Sequence, residues 1–344
     1  MNMRVAMYYN NHDIRVKEMP VPGIGQDELL MRTEASGICG SDVLEWYRLK
    51  KAPLVLGHEV AGQVIKIGEK VTRFEVGDRI VVNHHVPCNA CSFCLTGHHT
   101  ACNTLRSTNF DPGGFSEYIR IPAINVDRGT FLIPDELTYE EATFHEPLGC
   151  IIRANRMAGL KPGQSVLVMG SGIAGLLNIH FARQAGAGLI LAVEPVLSRR
   201  KAALKFGANE AISPLEDIPA FLKKINRGRL ADMVFISTGA EEPQSQALKC
   251  VERGGTVVYF APTASDVKVP VSVNDLFFRN DITLTTSYAC APYDSFLALE
   301  LMHWSKLKIK EMITHRLPLA ETSKGFQMVA AAEDSLKVII EPQK

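Results

Sequence analysis

The chain is organised around Gly57-His58-Glu59-Val60-Ala61-Gly62, a stretch that places an imidazole beside a carboxylate and follows the apolar run Leu54-Val55-Leu56. Upstream, Cys39 is flanked by nearby glycines and followed by Ser41-Asp42. Cysteine, histidine and glutamate are the ligand types of a catalytic zinc ion that keeps one coordination position open. A single His-Glu pair is as often an exposed polar patch, but its combination with Cys39 predicts a metal centre.

Length and composition narrow the class of protein. With 344 residues the chain is long enough for about two domains. Lys and Arg together number 37, as do Asp and Glu, so no excess charge would attract nucleic acid or an anionic membrane. Residues 1–22 lack the continuous apolar core of a signal peptide, and no apolar run approaches the ~20 residues that span a bilayer. The sequence therefore predicts a soluble, cytoplasmic protein without nucleic-acid or membrane partners.

A cluster of four cysteines indicates a second metal site. The spacing C-x2-C-x2-C-x7-C is formed by Cys88, Cys91, Cys94 and Cys102. Without a secretion signal, clustered thiols bind metal more often than they form disulfides. Four thiolates and no spare ligand favour a closed, tetrahedral, structural zinc ion; the alternative is a redox or iron–sulfur cluster.

The first third of the chain has the pattern of an all-β domain. Short alternating runs such as Arg4–Met7, Ile14–Lys17 and Glu28–Met31 are separated by turn residues such as Pro20–Gly23. Similar runs follow at 64–67, 77–82 and 115–119. This pattern predicts a β-barrel-like domain that carries the metal ligands on its loops, with the cysteine-rich lobe as an excursion.

The pattern changes near Glu146. A buried strand, Ser165–Met169, is followed at once by Gly170-Ser171-Gly172-Ile173-Ala174-Gly175 and an apolar helix to about Ala185. The next strand, Leu189–Val193, ends at Glu194, 19 residues after the last of these glycines. A G-x-G-x-x-G motif between a strand and a helix, with an acid at this distance, is typical of dinucleotide binding, because its glycines let helix-terminal N–H groups reach a pyrophosphate. The alternative is a glycine-rich loop without a ligand.

Strands and helices continue to alternate towards the C-terminus. Further strands are predicted at 232–236, 255–260 and 282–289, and helices at 151–160, 293–304 and 323–332. This order indicates an α/β domain with a parallel sheet covered on both faces. A last strand, Lys337–Ile340, could complete the first domain.

Together these motifs resemble the zinc-dependent medium-chain alcohol dehydrogenases over essentially the whole chain. The resemblance is carried by Gly57-His58-Glu59 with Gly62 and Gly68, by Gly77-Asp78-Arg79, by the four-cysteine lobe and by the dinucleotide motif. Within that family, Phe144-His145-Glu146-Pro147-Leu148 is similar to the sorbitol (polyol) dehydrogenase branch, which has a glutamate where other members have a third zinc-ligand cysteine.

The resemblance implies a fold and a domain organisation. A GroES-like β-barrel catalytic domain would occupy residues 1–148, with the structural zinc lobe at about 86–103. A Rossmann NAD-binding domain would occupy residues 149–288, and residues 289–344 would complete the catalytic domain.

The resemblance also implies roles for individual residues. The ligands and partners of the catalytic zinc would be Cys39, His58, Glu59 and Glu146, the two carboxylates acting directly or through water. Ser41 would hold the substrate hydroxyl, and Asp42 would accept a hydrogen bond from His58. The alternative for Asp42 is a simple turn residue.

The implied cofactor is NAD. It would be bound by the motif residues Gly170, Gly172, Ile173, Ala174 and Gly175. Glu194 would bind the adenosine ribose hydroxyls and repel the 2′-phosphate of NADP. Arg199 would lie near the adenine, unless Arg199-Arg200 is only a solvated helix face, and Lys337 would lie near the pyrophosphate. Cys150 falls where the family lines the nicotinamide pocket, although a core thiol fits it equally well.

One departure from the family pattern concerns proton transfer. The family commonly has Cys-Gly-Ser-Asp-x-His, whose histidine passes a proton from the ribose to solvent, whereas this chain has Leu44 at the histidine position. Leucine carries no proton, which argues against a threonine dehydrogenase. Glu45, Tyr47 and Glu146 are the candidates for a replacement.

The sequence thus predicts an enzyme with two zinc ions per chain, one catalytic and one structural. It would oxidise a secondary alcohol of the polyol, cyclitol or sugar-like class to the ketone with NAD, as a homodimer or homotetramer. One alternative is a dehydrogenase of a simple secondary alcohol or of butanediol and acetoin. A more remote one is a non-catalytic protein that binds zinc and NAD.

Overall fold

A computed structural model describes residues 1–305, 307–332 and 334–344. The chain divides into two compact units. The first unit comprises Met1–Gly149 and Ala289–Lys344, and the second comprises Cys150–Tyr288.

Strands occur throughout the chain, with helices between many of them. They are β1 (Asn2–Asn10), β2 (Asp13–Pro20), β3 (Leu29–Gly37), β4 (Leu54–Val55), β5 (Glu59–Ile67), β6 (Arg79–Val82), β7 (Tyr118–Ile121), β8 (Thr130–Leu132), β9 (Val166–Met169), β10 (Ile190–Val193), β11 (Glu210–Ile212), β12 (Ala231–Ile236), β13 (Val251–Tyr259), β14 (Thr283–Thr286), β15 (Ile313–Pro318) and β16 (Lys337–Glu341).

The α-helices are α1 (Glu45–Arg48), α2 (Ser92–Leu95), α3 (Asn103–Ser107), α4 (Ala123–Arg128), α5 (Tyr139–Ala142), α6 (His145–Ala158), α7 (Ile173–Gln184), α8 (Leu197–Lys205), α9 (Ile218–Ile225), α10 (Glu241–Cys250), α11 (Val273–Leu276), α12 (Pro292–Trp304) and α13 (Thr322–Ala331). Short 3-10 helices lie at Leu49–Lys51, His99–Ala101, Ile309–Met312 and Leu319–Glu321.

The main sheet of the first unit has the strand order β15-β16-β3-β5-β6-β8, and β7 also pairs with β3. Its neighbours are antiparallel apart from β15 and β16, which are parallel. A separate antiparallel sheet has the order β2-β1-β4. One apolar core is built around Leu29, Met31 and Val64, and another includes Phe326 and Val338 from the C-terminal segment. The C-terminal segment therefore shares a hydrophobic core with the N-terminal strands.

The central strand β3 positions the residues of the predicted metal centre. Its last residue, Gly37, lies opposite Glu59 of β5 on one side and Ile339 of β16 on the other. Just beyond it, the Ile38 N–H donates to the Val338 carbonyl over 3.0 Å. The end of β3, the start of β5 and the start of β16 consequently meet at one place.

The second unit is built on a parallel sheet with the order β11-β10-β9-β12-β13-β14. The residues of β9 and β10 are all buried, as expected where helices cover both faces of a sheet. The order corresponds to the Rossmann arrangement, in which ligands bind at the carboxyl ends of the strands where the chain reverses its direction of progress. The predicted α/β fold, a GroES-like barrel with a Rossmann sheet, is confirmed.

Several predicted boundaries differ from the structure, among them those of α6 and β14. Helix α6 begins at His145, six residues before the predicted start at Ile151, so Glu146 lies in its first turn. Pro147 is accommodated there because the first N–H groups of a helix have no intrahelical acceptor. The strand predicted at 282–289 is shorter, Thr283–Thr286, because it is a sheet edge that pairs with β13 over only those residues.

Candidate functional site

The first candidate metal centre is formed by Cys39, His58 and Glu59. One ligand atom from each lies within 4.8 Å of the others. Cys39 follows the end of β3, and the His-Glu pair stands at the start of β5, so the pairing of these two strands brings the three side chains together. Glu59 is buried, with a relative exposure of 1%, whereas Cys39 and His58 are partly accessible.

Asp42 fixes the orientation of the His58 ring. Its buried Oδ1 lies 3.3 Å from His58 Nδ1, and its Oδ2 accepts a hydrogen bond of 3.1 Å from the Cys39 N–H. Burial opposes the charged form of both side chains, but their mutual attraction outweighs it, raising the pKa of His58 and lowering that of Asp42 in the metal-free protein. With Nδ1 engaged by Asp42, Nε2 is the ring nitrogen left for a metal ion.

Arg48 is a member of this site that the sequence reasoning missed. Its Nη2 donates to Ser41 Oγ and to Asp42 Oδ1, both over 3.2 Å, and its Nε donates to the Ser41 carbonyl over 3.0 Å. The Ser41 N–H in turn points to Cys39 Sγ, at 3.4 Å. No local pattern distinguishes Arg48 from a surface cation, because its partners are set by the turn of chain that precedes α1.

Glu59 and Lys337 form a buried ion pair. Lys337 is the first residue of β16, it is 0% exposed, and its Nζ pairs with Glu59 Oε2. The structure places Lys337 in the first unit, against a side chain of the candidate metal centre. Its predicted position near the cofactor pyrophosphate stays a prediction.

Glu146 does not belong to the group formed by Cys39, His58 and Glu59. Among the described residues it lies in another group of possible ligands, where its carboxylate is within 4.8 Å of Cys290 Sγ. That sulfur also lies 3.9 Å from Asn83 Nδ2. Its predicted role beside the zinc remains a prediction.

The other candidates for proton transfer lie close to the same turn. Leu44 directly precedes α1, and Glu45 Oε1 accepts a 2.9 Å hydrogen bond from the Asn11 N–H. The Arg48 guanidinium carbon lies over the Tyr47 ring, 4.8 Å from the ring centroid.

Cys150, the predicted nicotinamide-pocket residue, is the first residue of the second unit and lies within α6.

A stack of imidazoles borders the metal centre. The His84 ring centroid lies 4.9 Å from that of His58 and 3.9 Å from that of His85. His85 donates from Nδ1 to the Thr108 carbonyl over 2.6 Å. Burial lowers the pKa of His85 to about 4 and that of His145, at the start of α6, to about 3. The sequence analysis missed this feature, although two adjacent histidines, separated from the end of β6 by one residue, were a signal that could have indicated it.

The second candidate metal centre is the four-cysteine lobe. A ligand sulfur from each of the four predicted cysteines lies within 4.8 Å of the others. The measured Sγ–Sγ distances are 3.5 Å for Cys91–Cys94, 3.6 Å for Cys88–Cys102 and 4.0 Å for Cys88–Cys94. N–H groups of Ala90 and Cys91 point at Cys88 Sγ and lower the pKa of that thiol, which favours the thiolate that binds metal.

The dinucleotide motif turns from β9 into α7. Gly170 has a φ of +93°, and a side chain on Gly175 would collide with the Gly170 carbonyl, so both positions require glycine. Gly172 is the residue before α7. A Cβ atom on Gly172 would lie in open space, with Arg199 Nη1 as its nearest neighbour at 3.9 Å. Ile173 and Ala174 are the first residues of α7, so the helix N-terminus opens at this loop.

Glu194 stands one residue beyond β10, beside this loop. Its Oε2 accepts a 2.6 Å hydrogen bond from the Ser171 N–H and its Oε1 a 3.0 Å bond from the Val196 N–H. Arg200 donates to the carbonyls of Glu194 and Pro195 over 2.7 and 2.8 Å. Of the two adjacent arginines, Arg199 is therefore the one that faces the glycine loop.

Comparison with known proteins identifies the family of this chain. The family model described as "Alcohol dehydrogenase GroES-like domain" matches residues 25–135, and that described as "Zinc-binding dehydrogenase" matches residues 174–304. An L-threonine 3-dehydrogenase of Caldanaerobacter subterraneus subsp. tengcongensis is 32% identical, with 98% of each chain covered. A sorbitol dehydrogenase of Bacillus subtilis is 31% identical, covering 100% of this chain and 98% of the relative.

The chain belongs to the zinc-dependent medium-chain alcohol dehydrogenases. A solved structure described as a zinc-binding dehydrogenase of Sinorhizobium meliloti 1021, bound to NADP, superimposes with a TM-score of 0.89 at 28% identity and covers 99% of this chain and 100% of that one. The predicted family and the predicted class of enzyme, an alcohol dehydrogenase, are confirmed. Among the described residues of this dehydrogenase, no helix is long and apolar enough to cross a bilayer.

Both sets of donors in this alcohol dehydrogenase fit zinc. A tetrahedral ion with Zn–S bonds of 2.3 Å holds its sulfur ligands about 3.8 Å apart, and the lobe has Sγ–Sγ distances of 3.5 to 4.0 Å. In the other centre, one thiol, one imidazole whose Nδ1 is held by Asp42 and one carboxylate match a three-ligand site with an open position. The glycine loop likewise fits a pyrophosphate, because the N-terminal N–H groups of α7 lie next to Gly172, which has open space where a side chain would be.

Proposed function

We propose that this alcohol dehydrogenase oxidises a secondary alcohol of a polyol, cyclitol or sugar-like substrate to the ketone, with NAD as the hydride acceptor. The observation that carries the proposal is the grouping of Cys39, His58 and Glu59 within 4.8 Å, with His58 held by Asp42. Such a set of donors leaves a coordination position for the substrate oxygen. The protein would act as a homodimer or homotetramer.

The residues around the group would bind and orient the substrate. When bound, zinc supplies a Lewis acid that favours ionisation of an alcohol, and the nicotinamide supplies the hydride acceptor. Cys39 and His58 would hold the metal, and Glu59 would approach it when the carboxylate is not engaged by Lys337. Ser41 Oγ accepts a hydrogen bond from Arg48 and keeps a second lone pair, with which it would accept a hydrogen bond from the substrate hydroxyl.

The second unit would bind the cofactor. The loop at Gly170–Gly172 and the N-terminus of α7 would hold the pyrophosphate. The Glu194 carboxylate would accept hydrogen bonds from the adenosine ribose, and its negative charge would disfavour the 2′-phosphate of NADP. Arg199 would bind the adenosine part of NAD.

The choice of substrate class depends on Glu146 and on Leu44. The stretch Phe144–Leu148, with Glu146, resembles the sorbitol dehydrogenase branch, and a sorbitol dehydrogenase is among the relatives. An L-threonine 3-dehydrogenase is similarly related, but Leu44 replaces the histidine that we associate with that activity. We therefore propose a polyol rather than threonine as the substrate.

The proposal is tested by a substrate screen on zinc-replete protein. NADH formation is followed by fluorescence with polyols, cyclitols, 2,3-butanediol and L-threonine, and we expect the highest kcat/KM for a polyol or cyclitol. A Cys39→Ser variant, which keeps the cysteine lobe, should lose turnover and retain its fold. Preference for butanediol or threonine would refute the substrate class, and no turnover with any alcohol would favour a binding protein.

A further inference from the structure

The Glu59–Lys337 pair connects the candidate zinc centre to the C-terminal strand. Both side chains are buried, at 1% and 0% exposure, and the Lys337 ammonium also donates to the Ile38 carbonyl over 3.3 Å. The Phe144 ring lies beside the ammonium, with its centroid 5.6 Å from Nζ. Away from water, an ion pair of this kind is strongly attractive, and removing one partner leaves the other charge uncompensated.

The fold makes room for this pair. A Cβ atom on Gly37 would collide with Glu59 Oε2 and would stand 2.7 Å from Lys337 Cε. Gly37 is the last residue of β3, between β5, which carries Glu59, and β16, which carries Lys337. Only a glycine at this position lets the two side chains meet across the strand.

The carboxylate of Glu59 has two competing partners. One of its oxygens lies within 4.8 Å of the Cys39 and His58 ligand atoms, and its Oε2 is paired with the Lys337 ammonium. A zinc ion bound beside Glu59 would add a second cation within reach of the same buried carboxylate. Each cation therefore weakens the hold of the other on Glu59.

We propose that Lys337 is a positioning residue that competes with zinc for Glu59, and so weakens metal binding at Cys39 and His58 and speeds metal release. The inference rests on the zinc site of the proposed function. It assigns Lys337 a role at the metal centre, whereas the family resemblance implied one near the pyrophosphate. It also explains why a fully buried lysine lies beside a metal centre, where a positive charge is otherwise unfavourable.

The test measures zinc release from the purified, zinc-loaded protein into a colorimetric chelator. We expect zinc to leave the cysteine lobe in a separate kinetic phase, which serves as an internal control. In a Lys337→Met variant, the phase assigned to the Cys39 centre should slow about tenfold, and the lobe phase should not change. Lys337→Arg keeps the cation and should release zinc at close to the wild-type rate.

Two further variants separate competition from a structural role. Lys337→Gln keeps a donor for the Ile38 carbonyl without the charge, so it should also slow release if Lys337→Met folds poorly. In a Glu59→Gln background, which has no carboxylate to share, replacing Lys337 with Met should leave the release rate unchanged. The increase in Tm on zinc loading should be larger in Lys337→Met than in wild type. Without Lys337, the buried Glu59 carboxylate has no cation in the metal-free variant and gains one when zinc binds, whereas in wild type it is already paired.

The outcomes distinguish this inference from the proposed function. Two zinc ions per wild-type chain, with unchanged or faster release from Lys337→Met and Lys337→Gln, would overturn the competition and leave the zinc enzyme intact. A wild-type chain that binds zinc only in the cysteine lobe would overturn both.

Discussion

Glu194, for which we propose a role in selecting NAD over NADP, is held in place by hydrogen bonds within the protein. Its two carboxylate oxygens accept N–H groups of Ser171 and Val196, so the side chain is fixed beside the glycine loop. It is also buried, at 3% exposure. A fixed negative charge at this place interacts favourably with ribose hydroxyls and unfavourably with a phosphate.

The first prediction concerns a Glu194→Gln variant, which keeps the size of the side chain and removes its charge. The ratio of NADP to NAD affinity should rise at least about tenfold, which corresponds to ~1.4 kcal/mol of lost discrimination. Dissociation constants for both oxidised cofactors, from titration calorimetry, provide the measurement. Tighter binding of NADP than of NAD to the wild type would contradict the role of Glu194 and assign the 2′-phosphate to Arg199.

The second prediction concerns Glu146, for which we propose proton transfer through a water molecule. Leu44 cannot relay the proton, and a carboxylate can do so through one water. In Glu146→Gln, the single-turnover rate of NADH formation should fall strongly at neutral pH, with zinc content unchanged. Leu44→His should alter that rate only modestly, because an outlet already exists. A Glu146→Gln enzyme with the wild-type rate and pH profile rules this relay out.

At the residue level, the type of site could be predicted from residues close together in the sequence, whereas contacts between residues far apart in the sequence could not. The types and order of Cys39, His58 and Glu59 suffice to suggest zinc, and the structure groups them. Lys337 is 278 positions away from Glu59, so no local pattern relates the two. The family resemblance implied a place for Lys337 near the pyrophosphate, because a resemblance does not specify which acidic side chain a buried lysine contacts in this chain.

At the level of elements, the cysteine lobe contains little regular structure of its own. Helices α2 and α3 have only four and five residues, and the local core is formed by Cys94, Cys102 and Leu105. So few apolar contacts cannot offset the entropy of ordering such a segment, and we propose that a metal ion holds it.

The third prediction follows from this small core. Cys91→Ser should remove one zinc ion per chain and lower the Tm by several degrees, because metal binding in such a lobe contributes directly to folding. Cys39→Ser should also remove one zinc ion but lower the Tm much less than Cys91→Ser does. Metal analysis combined with thermal unfolding checks both variants. Equal loss of stability in the two variants would contradict the division into a structural and a catalytic ion.

Elements with a clear period were predicted well, and irregular helix starts were not. The alternating runs correspond to β1, β2 and β3, and the glycine motif lies between β9 and α7 as expected. The start of α6 was missed because Pro147 and Gly149 interrupt the helical pattern, although both fit near a helix N-terminus. The sheet position of β16 beside β3 depends on pairing across the whole chain, which local periodicity does not contain.

At the scale of the whole molecule, the first unit buries several neutral imidazoles. Burial lowers the pKa of His85 to about 4 and that of His145 to about 3. An unfolded chain protonates histidine near pH 6.5, while these folded side chains stay neutral to lower pH. Below pH 6.5 these two histidines thus bind more protons in the unfolded state than in the folded state, and through them the free energy of unfolding decreases as the pH falls.

The last prediction isolates His85 in this acid sensitivity. His85 contributes stability that is fully present above pH 6.5 and is lost as the pH falls towards 4, by roughly 2–3 kcal/mol. His85→Asn keeps a donor for the Thr108 carbonyl and cannot be protonated, so its free energy of unfolding should fall less between these two pH values. Denaturant unfolding is followed by tryptophan fluorescence, since both tryptophans, Trp46 and Trp304, lie in the first unit. The exposed His12, replaced by Asn, is the matched control and should keep the wild-type pH dependence. An equally steep loss in His85→Asn would show that the acid sensitivity arises from other groups.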